Sequence, residues 1–531
     1  MEKIIDNPEL GYFLRRFLEK QEEGGNVSEK SLMPIEALSL ILDRDLSRED
    51  YNVMYNTFKK KGFGIPSYDR VRDVKSECRP EGIKFSIEDI QVPLQQMANH
   101  RMQRILQLEK VKIRVTECIE KTGGPLELVY NIKIGLDGSS GFQVIQKLVE
   151  GGYRDEGALL ASTFVSINVV TVVDNRLVDV YVNNAVNSSY GCAPLRHWFR
   201  RETDETLEVE ISRLQDEINN LQPLQTSDDV TVRYCVHFTM LDQKVMNHIH
   251  RGSSQRCPLC LATPMDFMNV TRVFTAKPEA VAQLCLSILH FGPRSMENLF
   301  NIGFNQLFQK FQRRRNNTSD YFLRALMKQK ILASYLKDFG WKIFKPGNGG
   351  TSNTGNMARN VFKNSIYLAE QIGVDEDLVH RIHMVWIALA SGEHLCADKF
   401  GRYCEDTIKL YHREAHWYPM CASLHKVLVH AKDVIRLLPP EITAGMLSEE
   451  PAEASNKDVK NFEQHHAFQG DYVKKALAVF HRLIDRSDPI VASFYETTKV
   501  FKRELRRREL PDDVQWMLLT PEEVDQRRVV E

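Results

Sequence analysis

No stretch of this chain is both long enough and apolar enough to cross a membrane as a helix. The nearest, ALLASTFVSINVVTVV, is broken by Ser, Thr and Asn and reads as strand. The opening residues, MEKIIDNPEL, lack the apolar core of a secretory signal. Ten cysteines in 531 residues stand mostly alone, which argues against a disulfide scaffold and for a reducing compartment, cytosol or nucleus. Neither sign of charge dominates: 70 Lys and Arg against 71 Asp and Glu leave a formal net charge of −1. Binding to a polyanion must therefore come from local basic patches. Internal repeats and low-complexity tracts are also missing. What remains, 43% hydrophobic and 27% charged residues, fits a globular protein of two to four domains.

The periodicity of the apolar residues divides the chain. Residues 1–124 read as a helical N-terminal domain: Ile35, Leu38, Ile41 and Leu42 share a helix face, and a second helix ends at Gly123-Gly124. The period then changes to two. Leu128, Tyr130, Ile132, Ile134 and Leu136 alternate with Val129, Asn131, Lys133, Gly135 and Asp137, which predicts a strand with one apolar face. TFVSINVVTVV and RLVDVYVN flank Asp174-Asn175 as a hairpin, and VTVRYCVHFTML predicts a further strand ending at Asp242. From about 270 to 440 the pattern is helical, interrupted by the Gly/Asn-rich KPGNGGTSNTGNMARNVF. Helices are expected again from about Ser448, and the last twenty residues are expected to be loose.

Two thiolates at C-x-x-C spacing, Cys257 and Cys260 in QRCPLC, supply half of a tetrahedral metal shell, and the spacing occurs once. LHKVLVH places His425 and His430 five positions apart. On an ideal helix that leaves them about 140° apart, so a bent helix or a helix end is needed for both to reach one ion. Spacing alone leaves open whether the two pairs meet. Asp137 and Asp242 each end a strand, and Asp at a strand end is ordinarily a turn former. Glu449, Glu450 and Glu453 open a helix behind Ser448, where acids commonly complement the helix dipole. Arg359 in the Gly/Asn loop, the arginines Arg313, Arg314 and Arg315, and the basic stretches RHWFRRE and KRELRRR are candidate phosphate contacts or solvated faces. Isolated histidines such as His237, His290 and His383 read as core or surface residues.

Taken in order, Asp137 after a strand, Asp242 after a strand, C-P-L-C, GNMAR, H-K-V-L-V-H and SEEPAEASNKD resemble the catalytic core of the V(D)J recombination-activating protein and the Transib transposases. The likeness is nearest to invertebrate proteins carrying such a core. It runs from about residue 125 to 466, and more weakly toward residue 35. The resemblance implies an α+β fold: an RNase H-like mixed sheet interrupted by a large helical, zinc-binding insertion. It implies core residues 125–256, an insertion over 257–440, completing helices over 441–510 and a flexible tail over 511–531. It also implies a DDE triad of Asp137, Asp242 and Glu453 holding two Mg²⁺ or Mn²⁺ ions, Glu453 being chosen because it stands three residues before Asn456-Lys457. Structural Zn²⁺ is implied on Cys257, Cys260, His425 and His430. The expected function is a nuclear recombinase or transposase-like endonuclease acting on DNA, homodimeric and associated with no membrane, with an accessory recombination subunit as a further partner. The N-terminal domain is expected to serve DNA binding or dimerisation. The alternative is a catalytically silent DNA-binding or chromatin protein that keeps the fold.

Overall fold

Pro at the first helical position opens α1 (Pro34–Asp43), whose Leu38, Ile41 and Leu42 are buried together. It is followed by α2 (Arg48–Lys60) and α3 (Tyr68–Glu77). The computed structural model describes residues 32–60, 64–142, 157–227, 229–250, 253, 255–269, 272–277, 286–311, 318–343, 353–465, 472–495 and 510–530.

The described residues up to 124 are not purely helical. Two short strands, β1 (Lys84–Phe85) and β2 (Asp89–Gln91), join the main sheet. The expected second helix is two, α4 (Leu94–Leu106) and α5 (Glu109–Thr122), and Gly123 ends the latter in the left-handed region at φ 64°. Leu94, Met97 and Ile105 share one core with Leu128, Tyr130 and Ile132 of the sheet. A helix-period segment thus covers a strand-period one.

The sheet then grows through β3 (Leu126–Ser139), β4 (Leu159–Val173), β5 (Arg176–Val182) and β6 (Cys192–Trp198). Asp174 and Asn175, at φ 51° and 57°, make the expected hairpin between β4 and β5; two consecutive positive φ values match the right-handed twist of the strands. After α6 (Asp204–Asn219) come β7 (Leu224–Ser227) and β8 (Val230–Leu241). The order is β1-β2-β6-β4-β3-β8-β7, with β5 also paired to β4. Every described pairing is antiparallel except that of β3 with β8. The fold is α+β with a mixed sheet.

The polar alternation in β3 does not face water. Asn131 and Lys133 are fully buried: Asn131 donates to Asn168 Oδ1 at 2.8 Å, and Lys133 Nζ donates to the Ser448 carbonyl at 2.8 Å and to Asn187 Oδ1 at 3.0 Å. The second face of the strand is covered by the segment leading into the C-terminal helices.

Beyond β8 the chain runs through α7 (Gln243–Ile249), α8 (Pro264–Phe267), α9 (Ile288–Asn305), α10 (Thr318–Phe339), α11 (Gly355–Phe362), α12 (Ser365–Ile372), α13 (Glu376–Ala390), α14 (Ala397–Ala415) and α15 (Ala422–Leu437). These helices pack around a core that includes Phe291, Phe300, Val385, Trp386, Leu424 and Val427 and reaches Val165, Cys192 and Met240 of the sheet. The chain returns to the sheet as α16 (Glu450–His465) and α17 (Tyr472–Arg486). Phe480 and Leu483 of α17 join the sheet core, while Asp488 just beyond it accepts Arg104 Nε at 2.7 Å in full burial.

The expected loose tail is instead built in. α18 (Asp512–Trp516) and α19 (Pro521–Arg527) follow one another, and Val514 and Met517 are fully buried in the core of the helical layer. Backbone bonds fix the segment at both ends: Cys396 N–H to the Met517 carbonyl at 2.9 Å, and Val530 N–H to the Asn175 carbonyl at 2.8 Å. Two apolar anchors in a polar stretch outweigh its low overall hydrophobicity.

Candidate functional site

β3 and β8 run parallel with Leu136 opposite Leu241. The next residues, Asp137 and Asp242, therefore leave the same end of the sheet side by side. Asp137 is still within the strand, paired with Ala161. Asp242 caps α7, its Oδ1 accepting the Val245 N–H at 2.8 Å, so one carboxylate both stops a strand and starts a helix. Glu453 lies in the first turn of α16, and Asn456 on the same helix donates from Nδ2 to Asp137 Oδ2 at 2.6 Å.

Electrostatics tie these groups together. Burial, and then the neighbouring Asp242, push the Asp137 carboxyl up to about 7; Glu453 and Glu202 act in the same sense, and His290 opposes them. His290, from the first turn of α9, is depressed by burial, but its hydrogen bond to Glu449 and the charges of Glu449, Asp242 and Glu453 carry it up to about 9. It is a cation at neutral pH. Burial raises the Glu449 carboxyl, yet the bond and charge of His290 overcome that and leave it lowered. One oxygen of Glu449 accepts both the backbone N–H of His290 at 3.1 Å and its Nδ1 at 3.0 Å.

His290 is thus neither core nor plain surface, and Glu449 does more than open a helix. The sequence reading of His290 as a core or surface residue misses this role, and Glu202 carries no sequence signal. His237 and His383 do behave as core residues: His237 is buried beside Asn131, and His383 stacks on Phe362.

Arg359 sits in α11, which Thr354 caps. Its Nη2 donates to Glu450 Oε1 at 2.9 Å, and the guanidinium lies 5.5 Å from the centre of the Trp386 ring. It is held at the edge of the acid site and half exposed. Arg196, in the RHWFRRE stretch, is consumed by Asp89 and Glu210 and is a structural ion-pair residue, not a phosphate contact. Arg313, Arg314 and Arg315 lie outside the described residues, as does KRELRRR.

The Cys/His cluster forms 165 residues apart in sequence. A tight turn, with Leu261 at φ 60° and its N–H bonded to the Cys257 carbonyl at 2.8 Å, gathers the two sulfurs. His425 and His430 both lie within α15, an unbroken helix, and their ring centroids are 5.4 Å apart. His425 is the fourth residue of α15, so it stands near the helix's N-terminal end. Cys260 Sγ stands 3.5 Å from His425 Nε2, and Phe267 stacks on the His425 ring with centroids 3.9 Å apart. One ligand atom from each of Cys257, Cys260, His425 and His430 lies within 4.8 Å of the others.

Two observations fit this set as one that could hold a metal ion. Among the described residues neither ring nitrogen of the buried His430 has a hydrogen-bond partner, which is costly unless something else occupies them. The neighbouring Cys257 thiol, with His425 and His430, lowers Cys260 below the ordinary thiol range, while burial raises Cys257 above it. Among the described residues this is the only group of three or more such side chains drawn so close. Asp137, Asp242 and Glu453 do not form one. Compared with known proteins, the chain matches no family model and no curated protein.

Proposed function

We propose that this chain is a DNA-cleaving and strand-joining enzyme of the DDE recombinase or transposase type, with Asp137, Asp242 and Glu453 as its acids. The observation that carries this is the meeting of Asp137 and Asp242 on adjacent parallel strands with the helix bearing Glu453, which Asn456 ties to Asp137. The order β6-β4-β3-β8, parallel only at β3/β8 and followed by a helical insertion before α16, supports an RNase H-like core. Asp137, lifted to about 7 by buried like charges, fits a place where divalent cations restore the balance.

Asp137, Asp242 and Glu453 would hold two Mg²⁺ or Mn²⁺ ions, which would supply charge stabilisation for an in-line displacement at phosphorus. In cleavage, water attacks a backbone phosphorus, the bond to the 3′-oxygen breaks, and the freed 3′-hydroxyl is the nucleophile for joining. His290, cationic and fixed by Glu449, offers positive charge to the phosphate from the opposite side. Arg359 stands at the rim, where exchange of Glu450 for a phosphate oxygen keeps its charge paired.

Cys257, Cys260, His425 and His430 would hold Zn²⁺, whose tetrahedral preference suits two thiolates and two imidazoles with no open position. Its role is structural: it joins the turn after β8 to α15, just before the chain returns toward Glu453. Action in the nucleus, on DNA, as a homodimer with an accessory subunit, belongs to the same reading.

A catalytically silent DNA-binding protein is the second reading. It is favoured by the near-neutral charge and by acids spaced more widely than the Cys/His group. Nicking of supercoiled plasmid with Mn²⁺ separates the two: metal-dependent nicking supports the enzyme, and its absence on any DNA supports the binding protein.

A further inference from the structure

Lys426 follows the ligand His425 on α15 and is fully buried. Successive helix residues point about 100° apart, so one faces the cysteines while the next faces elsewhere. Its Nζ lies 3.2 Å from Ser287 Oγ, 3.5 Å from Gln243 Oε1 and 3.7 Å from Met246 Sδ. Gln243 is the residue after Asp242, and Met246 lies one turn further along α7. Ser287 caps α9 three residues before His290, and its hydroxyl donates to the Leu241 carbonyl at 3.1 Å, the residue before Asp242.

A buried ammonium ordinarily demands a carboxylate. Among the described residues none lies within ion-pair distance of Lys426, and its partners are neutral side chains on the two segments that deliver Asp242 and His290. Such an arrangement costs desolvation and returns position. Ser287 adopts φ 50°, a conformation that L-residues rarely take, so this junction is held rather than relaxed.

We infer that Lys426 is a positioning residue, a strut by which the Cys/His cluster fixes Asp242 and His290. One helix turn carries both the metal ligand His425 and the ammonium that grips the acid-bearing segments. The state of the cluster is therefore felt at the acid site through a single side chain. The inference rests on the proposed acid site for its catalytic meaning, but the mechanical link stands or falls on its own.

The test is hydrogen–deuterium exchange on the zinc-loaded full chain, comparing wild type with Lys426→Met, which keeps the stem and removes the charge. Backbone amides of 243–249 and 288–292 are expected to exchange at least tenfold faster in the variant. Zinc content should stay at one per chain, and protection within α15 should be unchanged. Unaltered exchange in both segments, or uniform acceleration along the chain, overturns the strut. Should Lys426→Met fail to fold, Ser287→Ala breaks the same junction from the other side and is expected to accelerate the same two segments a few-fold; no local change there is equally fatal. Wild-type plasmid nicking is scored separately, so its absence removes the enzyme while the exchange data still decide the strut.

Discussion

Asn456 Nδ2 and Asp137 Oδ2 meet at 2.6 Å across 319 positions of sequence. That bond fixes the helix bearing Glu453 against the end of the strand bearing the first aspartate. It also feeds a donor to a carboxyl crowded by Asp242 and Glu453.

Asn456→Asp replaces the donor with a fourth acid. Like charge at that distance should lift Asp137 further and loosen α16. The expected result is a thermal midpoint lower by a few degrees without divalent cation, mostly recovered on adding Mn²⁺. Asn456→Ala should lower the midpoint less, since it removes a bond without adding repulsion. Equal midpoints for Asp and Ala variants would mean that Asn456 does not serve the acid site.

The crowding predicts a pH dependence. Asp137 ionises at about 7 in the fold, against an ordinary value of 3.8, so the folded state binds more protons in that window. Its contribution is present below the ordinary value and is lost as pH rises toward 7. His290, raised from 6.5 to about 9, acts in the same sense at higher pH, its contribution being lost as pH passes through the folded value. Metal-free protein should therefore lose stability from pH 3.8 to about 7 through Asp137 and on to about 9 through His290, and Asp137→Asn should flatten the lower part of that fall. Thermal melts across the range check it; an unchanged slope in Asp137→Asn would contradict the assignment.

If the Cys/His group holds zinc as proposed, Cys257→Ser exchanges a ligand sulfur in a buried site for a poorer donor. Zinc content is then expected to fall below one per chain and the thermal midpoint to drop by many degrees, because affinity for a structural metal is folding free energy. Metal analysis of the purified protein with the melt decides this. A full complement of zinc in the variant would remove Cys257 from the ligand set.

The C-terminal segment gives a prediction opposite to that for a loose tail. Met517 is fully buried against the helical layer, so Met517→Ala should cost about 2–5 kcal/mol. Chemical denaturation measures it. A cost under about 0.5 kcal/mol, the ordinary range for surface positions, would mean that the segment detaches in solution.

What could be read beforehand followed from local pattern. The alternation along β3, the Asp174-Asn175 turn and the C-x-x-C spacing are all signals carried within a few residues, and each appears in the fold. The meeting of Cys260 with His425 is not local, yet both halves have recognisable spacing, so it could be posed as a question. His290 and Lys426 had no such signal. Each is a lone polar residue whose partners, Glu449 and Ser287, lie 159 and 139 positions away. Burial of Lys133 and Asn131 was invisible for a related reason: an alternating strand says which face is apolar, not whether the other face is later covered. The packing of the tail is not legible because Val514 and Met517 are two apolar residues in a charged stretch, and packing depends on where they land.

The most direct measurement is nicking of supercoiled plasmid in Mn²⁺ by wild type, Glu453→Gln and Glu449→Gln. Glu453→Gln keeps shape and helix but removes one of the charges that would hold the cations. Nicking should fall by orders of magnitude, while DNA affinity without divalent metal stays within a few-fold. Glu449→Gln should be milder, retaining a bond to His290 and losing only the charge that sustains its protonation. Wild-type activity matched by Glu453→Gln would exclude Glu453 as the third acid, and a wild type that nicks no DNA would contradict the enzyme altogether.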